Sequence, residues 1–293
     1  MRKRHPIYLV IWTLSLVGGW AGSASAQDTT STSGSIATPP PAAAQAADDS
    51  DTRPQPVEPD YRIVNLPTTL RLPRHGANFT LTHRFNGDLT EGSFLDQLST
   101  LFGMDNGASM GLEYRYGVMK NLEAVVFRTN IDQAIQFTGK YDGWRQKAGS
   151  TPLSISPFLA VEGAINFRER YMTTVGASIG RNMNDRVMVY AVPFWVMNSA
   201  AGLGEYRNTV VLGVGGRLRV KPRLFLVAEV SPRLGGYVVD DPEYGFGIET
   251  RVGGHVFQLN FTNANTHTTF GQLSRGGFLD SLYFGFNLSR KFF

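Results

Sequence analysis

The chain has 293 residues, of which 42% are hydrophobic, 12% aromatic and 18% charged, with 32 glycines and a formal net charge of +4. Charge below the usual ~25%, combined with abundant glycine and aromatics, suits strands that turn tightly and face an apolar medium. The longest apolar run beyond the N-terminus, Val187 to Met197, has 11 residues, against the ~20 of a membrane-spanning helix. A helical membrane protein is thereby excluded. The absence of cysteine excludes a disulfide framework, a thiolate metal site, covalent haem attachment and a cysteine-linked lipid anchor.

Taken in chain order, Met1 to Ala26 reads as a secretory signal. Arg2, Lys3 and Arg4 precede the apolar core Ile7 to Trp20, and Ala24-Ser25-Ala26 supplies small residues before a cut after Ala26. Removing those three bases lowers the charge from +4 to +1. Residues 27–60 are Thr/Ser/Ala/Pro-rich and have almost nothing to bury, so they read as a disordered low-complexity linker. The linker carries Asp28, Asp48, Asp49, Asp51, Glu58 and Asp60 against the single base Arg53. Its net −5 leaves +6 on residues 61–293, the expected folded domain. Within that domain, Ile63 to Leu72 could add a strand. An extra strand would break the even strand count, so 61–75 is assigned to a plug or inner segment.

From there the dominant signal is period-two alternation in segments of about ten residues, the length of a tilted membrane-spanning strand. Met110, Leu112, Tyr114, Tyr116 and Val118 share one face of their segment, opposite Gly111, Glu113, Arg115 and Gly117. The same pattern places Leu224, Leu226, Ala228 and Val230 opposite Arg223, Glu229, Ser231 and Arg233. It predicts twelve strands, near 76–86, 107–117, 120–129, 132–146, 152–163, 169–180, 186–197, 206–219, 222–233, 243–253, 255–263 and 279–292. The spread of this count is ten to fourteen. Short links alternate with long ones such as 87–106, 198–205 and 263–278, as in bacterial barrels with short periplasmic turns and long external loops. The expected fold is all-β, a closed antiparallel transmembrane β-barrel. Glu91 to Phe102 departs from the pattern: Phe94, Leu98, Leu101 and Phe102 fall at helical spacing. It predicts a short helix in the first external loop, packed on the rim rather than folded into the mouth. At the C-terminus Phe284, Phe286, Leu288 and Phe292 share one parity and the chain ends on Phe293, a pattern resembling the strand read by the outer-membrane barrel assembly machinery. The expected partners are that machinery and outer-membrane lipid.

Tyr61-Arg62-Ile63-Val64-Asn65-Leu66-Pro67-Thr68-Thr69, His83-Arg84-Phe85 and Leu101-Phe102-Gly103-Met104-Asp105, followed by the strand pair Gly111 to Asn130, resemble a bacterial family of outer-membrane β-barrel domains of unknown function. The resemblance covers 61–293. It implies the fold and an outer-membrane location, and it brings no active-site residues.

The charged rows are the expected lumen lining: Arg84, Glu113, Arg115, Lys140, Glu162, Arg207, Arg217, Arg219, Arg223, Glu229, Arg233, Glu249 and Arg251. Nine bases against four acids would favour small anionic solutes in an open lumen. Two readings stand: a narrow porin-like channel, and a filled structural or binding barrel in which Arg/Glu pairs close the interior. An outer-membrane hydrolase needs a nucleophile with a base, and of His75, His83, His255 and His267 only His267, in a loop with Thr266, Thr268 and Ser274, could serve. No two histidines lie at metal-ligand spacing, and no cofactor is expected. Gly213-Val214-Gly215-Gly216 lies mid-strand, so it is read as clearing lumen side chains or bending the wall rather than as a nucleotide loop. The charge is dispersed over an exported protein, which argues against nucleic acid. A secreted β-sandwich that binds a partner remains the other all-β alternative, because alternation alone does not separate the two folds.

Overall fold

The computed structural model describes residues 57–237, 240–266 and 268–292. The signal segment, the linker as far as residue 56, His267 and Phe293 lie outside the described residues.

Thirteen strands follow one another: β1 (Ala77–Asp88), β2 (Ala108–Met119), β3 (Leu122–Thr129), β4 (Ile135–Tyr141), β5 (Ser154–Gly163), β6 (Glu169–Asn182), β7 (Val187–Met197), β8 (Thr209–Lys221), β9 (Leu224–Ser231), β10 (Arg233–Gly236), β11 (Glu243–Val252), β12 (His255–Thr262) and β13 (Tyr283–Phe292). All pair antiparallel with neighbours in sequence, except that β9 passes over β10 to pair with β11. β1 pairs with β13 in the register Leu81 opposite Leu288, closing a twelve-stranded barrel without free edges. The thirteenth strand, β10, is a four-residue spur on the start of β8. It is not the extra strand considered at Ile63 to Leu72, which forms no strand. Each of the twelve expected segments holds one wall strand. The largest trim is at 132–146, where the strand stops at Tyr141 before Asp142-Gly143.

The wall alternates as its sequence does. Leu112, Tyr114, Phe246, Ile248, Phe257 and Leu259 are exposed, while Glu113, Arg115, Glu249, Gln258 and Asn260 between them are buried. A sandwich would bury the apolar rows against one another; here they circle the outside. Aromatics mark both ends of the outer wall, with Tyr116, Tyr141, Trp144 and Phe292 at the end that carries the β2–β3 and β8–β9 turns and Tyr171, Trp195 and Phe284 at the other. Such girdles sit at membrane interfaces.

The loop between β1 and β2 carries a helix, Phe94–Ser99, shorter than Glu91 to Phe102. Ser93 opens it with a capping box to Asp96, satisfying otherwise unpaired amides of the first turn. Hydrogen bonds from Ser93 hold the exposed Asp96 carboxyl below the usual range. Left-handed backbone at Leu101, Phe102 and Gly103 terminates the turn that follows. The helix buries no residue and lies on the rim.

Candidate functional site: a plugged lumen

Two insertions fill the barrel. Residues 57–73 enter from the end that carries the β2–β3 and β8–β9 turns, fold back between Ile63 and Leu66, and leave at the same end. The fold-back is fixed by hydrogen bonds from Ile63 N to Leu66 O at 2.8 Å and from Thr68 N to Tyr61 O at 2.9 Å, and by an Arg62–Pro67 bridge. Tyr61, Ile63, Val64 and Leu66 are wholly buried. Val57, Pro59 and Asp60, grouped with the linker in the sequence reading, are buried as well.

At the hairpin tip three successive backbone amides point at one carboxylate. Val64 N and Leu66 N donate to Glu229 Oε2 at 2.9 and 3.1 Å, and Asn65 N donates to Oε1 at 2.7 Å. Amides converging in this way form an anion cradle, and the anion here is a wall side chain. The carbonyls are met in turn: Gln258 Nε2 donates to Ile63 O at 2.5 Å and Asn287 Nδ2 to Val64 O at 2.9 Å. Asn65 donates to Glu243 at 2.7 Å and accepts from Arg84 at 3.3 Å. Lower down, Arg62 pairs with Glu113, which also holds Arg115 at 2.9 Å. Arg115 pairs with Glu123, which holds Lys140 at 3.1 Å, while Lys140 donates to Leu70 O at 2.8 Å. Arg217 grips Glu249 with two hydrogen bonds of 3.1 Å and donates to Arg62 O. These charges lie out of water, and each is compensated by partners rather than by solvent.

The other side of the hairpin is apolar. Ile63 and Leu66 pack on β8 where a Cβ at Gly215 or Gly213 would fall 2.7 or 2.6 Å from their side chains. Gly213 and Gly215 therefore make room for the plug. Phe158, Tyr190, Val192, Phe194, Val211 and Val227 complete this cluster.

From the opposite end the β12–β13 link, read as an external loop at 263–278, folds into the mouth. Its helical turn Phe270–Leu273 is buried, with a Thr269–Gln272 capping box. Phe270 stacks on Phe158 with ring centroids 4.7 Å apart. Its amide donates to Gln136 Oε1 at 3.0 Å, and that of Gly271 to Glu162 Oε2 at 3.1 Å. Arg275 reaches Asp132 on the rim at 4.0 Å. Between the insertions remains a cavity of about 30 Å³ lined by Arg62, Arg115, Lys140 and Phe270, the room of about one or two water molecules.

Of the thirteen lumen residues expected, Arg84, Glu113, Arg115, Lys140, Glu162, Arg217, Glu229 and Glu249 are buried inside. Arg219, Arg223 and Arg251 are half-buried, near the turns at the end where the hairpin enters. Two expectations are corrected. Arg207 precedes β8 and lies exposed beside Glu205 at 2.6 Å, and Arg233 sits on the β10 spur, donating to Asp241 O at 2.6 Å. The reading missed Asp60, Arg62, Glu123, Asp142 and Glu243, all buried. The buried charged side chains among the described residues are therefore eight acids (Asp60, Glu113, Glu123, Asp142, Glu162, Glu229, Glu243, Glu249) and five bases (Arg62, Arg84, Arg115, Lys140, Arg217). The basic excess expected from the sequence is absent from the buried interior. His83 faces outward, stacked on Phe286 at 4.9 Å. Among the described residues no three His, Asp or Glu side chains form a metal-binding group.

A family model described as Membrane bound beta barrel domain (DUF5777) matches residues 60–292. The chain belongs to that family. The matched region of this family barrel starts at Asp60 and so takes in the hairpin from there to its exit. No curated protein matches the chain. Among solved structures, the KdgM porin in complex with disordered oligogalacturonate shares 10% identity and a TM-score of 0.47, over 74% of this chain and 99% of that one. The NanC porin shares 6% and 0.46, over 74% and 100%. The outer membrane protein Omp33 of Acinetobacter baumannii shares 11% and 0.39, over 76% and 100%.

Proposed function

We propose that this membrane-bound barrel works in the outer membrane as a self-plugged barrel, without catalysis, whose lumen conducts nothing while the N-terminal hairpin is seated. The observation that carries the reading is the Glu229 cradle, which fixes the hairpin tip across the lumen at 2.7–3.1 Å. The signal-like segment 1–26 and the aromatic girdles support export to that membrane. The row Phe284, Phe286, Leu288 and Phe292, with the terminal Phe293, supports insertion through the assembly machinery. The anion-favouring channel read from the sequence needs both an open lumen and a basic lining. With the hairpin gone, the buried wall would carry seven acids against four bases, and Arg219, Arg223, Arg251 and Lys291 near the hairpin's entrance offset that difference, so an opened lumen is expected to show little preference between ions of either sign.

Planar-bilayer recording of the mature chain and of a variant lacking residues 57–72 tests this. The intact chain should insert without current steps, and the deletion should give steps whose reversal potential lies near zero. Steady steps from the intact chain would overturn the closed reading, and anion preference in the deletion would restore the solute class read from the sequence.

A further inference from the structure

A second cavity lies outside the lumen. The β1–β2 loop leans over the outer wall, leaving a cleft of about 600 Å³ lined chiefly by Leu89, Phe94, Phe102, Met104, Phe261 and Phe284. That volume falls within the roughly 300–1,000 Å³ of small-ligand clefts. We propose that this cleft holds one acyl chain of a lipid from the surrounding membrane.

Three observations lead there. Phe261 and Phe284 belong to the outward apolar rows of β12 and β13, so the cleft continues the lipid-facing surface at the level of the aromatic girdle. The loop is built to hold its shape. Gly87 and Gly103 meet so closely that a Cβ on Gly87 would lie 2.2 Å from Gly103 Cα. Leu101 and Phe102 take φ values of 50° and 55°, left-handed backbone that bulky side chains adopt only where the surroundings enforce it. Phe94 and Phe102 meet edge-on, their centroids 6.2 Å apart, and Gln97 Nε2 ties the helix to Asp88 O at 2.9 Å. Finally, the stretch 88–106 carries Asp88, Glu91, Asp96 and Asp105 with no lysine or arginine. Such a loop repels a phosphate or an acidic segment and suits an uncharged hydrocarbon tail. Phe94 and Leu98 stay exposed, an apolar patch of the kind that marks a membrane contact.

The test is photolysis of the full mature chain in vesicles containing phosphatidylcholine with a diazirine on its acyl chain, followed by peptide mapping. Adducts are expected on residues 89–104 at a yield comparable to those on the outward belt residues Phe257 and Leu259. Phe102→Glu should lower the loop adducts at least five-fold and leave the belt unchanged. Met104→Glu serves as the second variant if the first fails to show the heat-modifiable migration of a folded barrel. A labelled belt with an unlabelled loop would overturn the proposal. So would loop labelling that both charged variants leave unchanged, since that would mean general immersion rather than an occupied cleft.

Discussion

The two insertions meet in the middle of the barrel yet are held by different physics. The hairpin is fixed by direction: at its tip Glu229, Gln258 and Asn287 each answer a particular backbone amide or carbonyl. The buried turn of the β12–β13 loop is fixed mostly by area: Phe270 and Leu273 bury themselves against Phe158 and Phe194, and within Phe270–Leu273 the amides of Phe270 and Gly271 find wall acceptors. Directional bonds in a site without water lose their whole value when one partner moves, whereas apolar contact tolerates repacking. On that contrast the hairpin is expected to be the more firmly held of the two insertions.

The sharpest way to break that contrast is Glu229→Leu, which leaves three buried amides without an acceptor and Arg84 with Glu243 as its remaining carboxylate neighbour. A loss of about 3–5 kcal/mol is expected, read from urea unfolding in vesicles, together with new protease sensitivity near Asn65. Phe270→Ala should cost about 3 kcal/mol, the low end for a buried aromatic, and should leave the hairpin as protected as before. If it exposes the hairpin equally, the two insertions are one unit. The smallest of the three is Gly213→Leu, which drives a side chain into Leu66 and should cost about 1–3 kcal/mol. In the variant lacking 57–72 the same substitution should be nearly neutral. A cost that persists there would move its cause from the plug to the wall.

The wall was readable because membrane strands repeat every two residues and twelve such segments repeat the same message. What fills the wall was only half readable. Tyr61 to Thr69 has apolar and polar residues without period, since its partners lie on many different strands rather than on one face. The inward glycines 213 and 215 were the clearest sign of a guest in the lumen. Glu123 and Glu243 escaped notice because each sits near a strand end as a lone acid. Arg207 and Arg233 were misplaced because period two continues past the point where the wall stops at Thr209 and Ser231. The inserted loop looked external because it is long. Its Thr269-x-x-Gln272 box beside Phe270 and Leu273 was the local signal for a buried turn.

The central claim is that the hairpin tip sits against β11 inside the assembled barrel, and the cysteine-free chain allows a direct test. Val64 Cβ lies 3.4 Å from where a Cβ on Gly245 would stand, close to the roughly 3.5–4.5 Å that a disulfide spans. The measurement is mass spectrometry of Val64→Cys/Gly245→Cys after mild oxidation of the folded, membrane-inserted protein. The account predicts near-complete cross-linking between the two peptides, with neither thiol reacting with maleimide. Two free thiols, both alkylated in a barrel that remains folded, would contradict it.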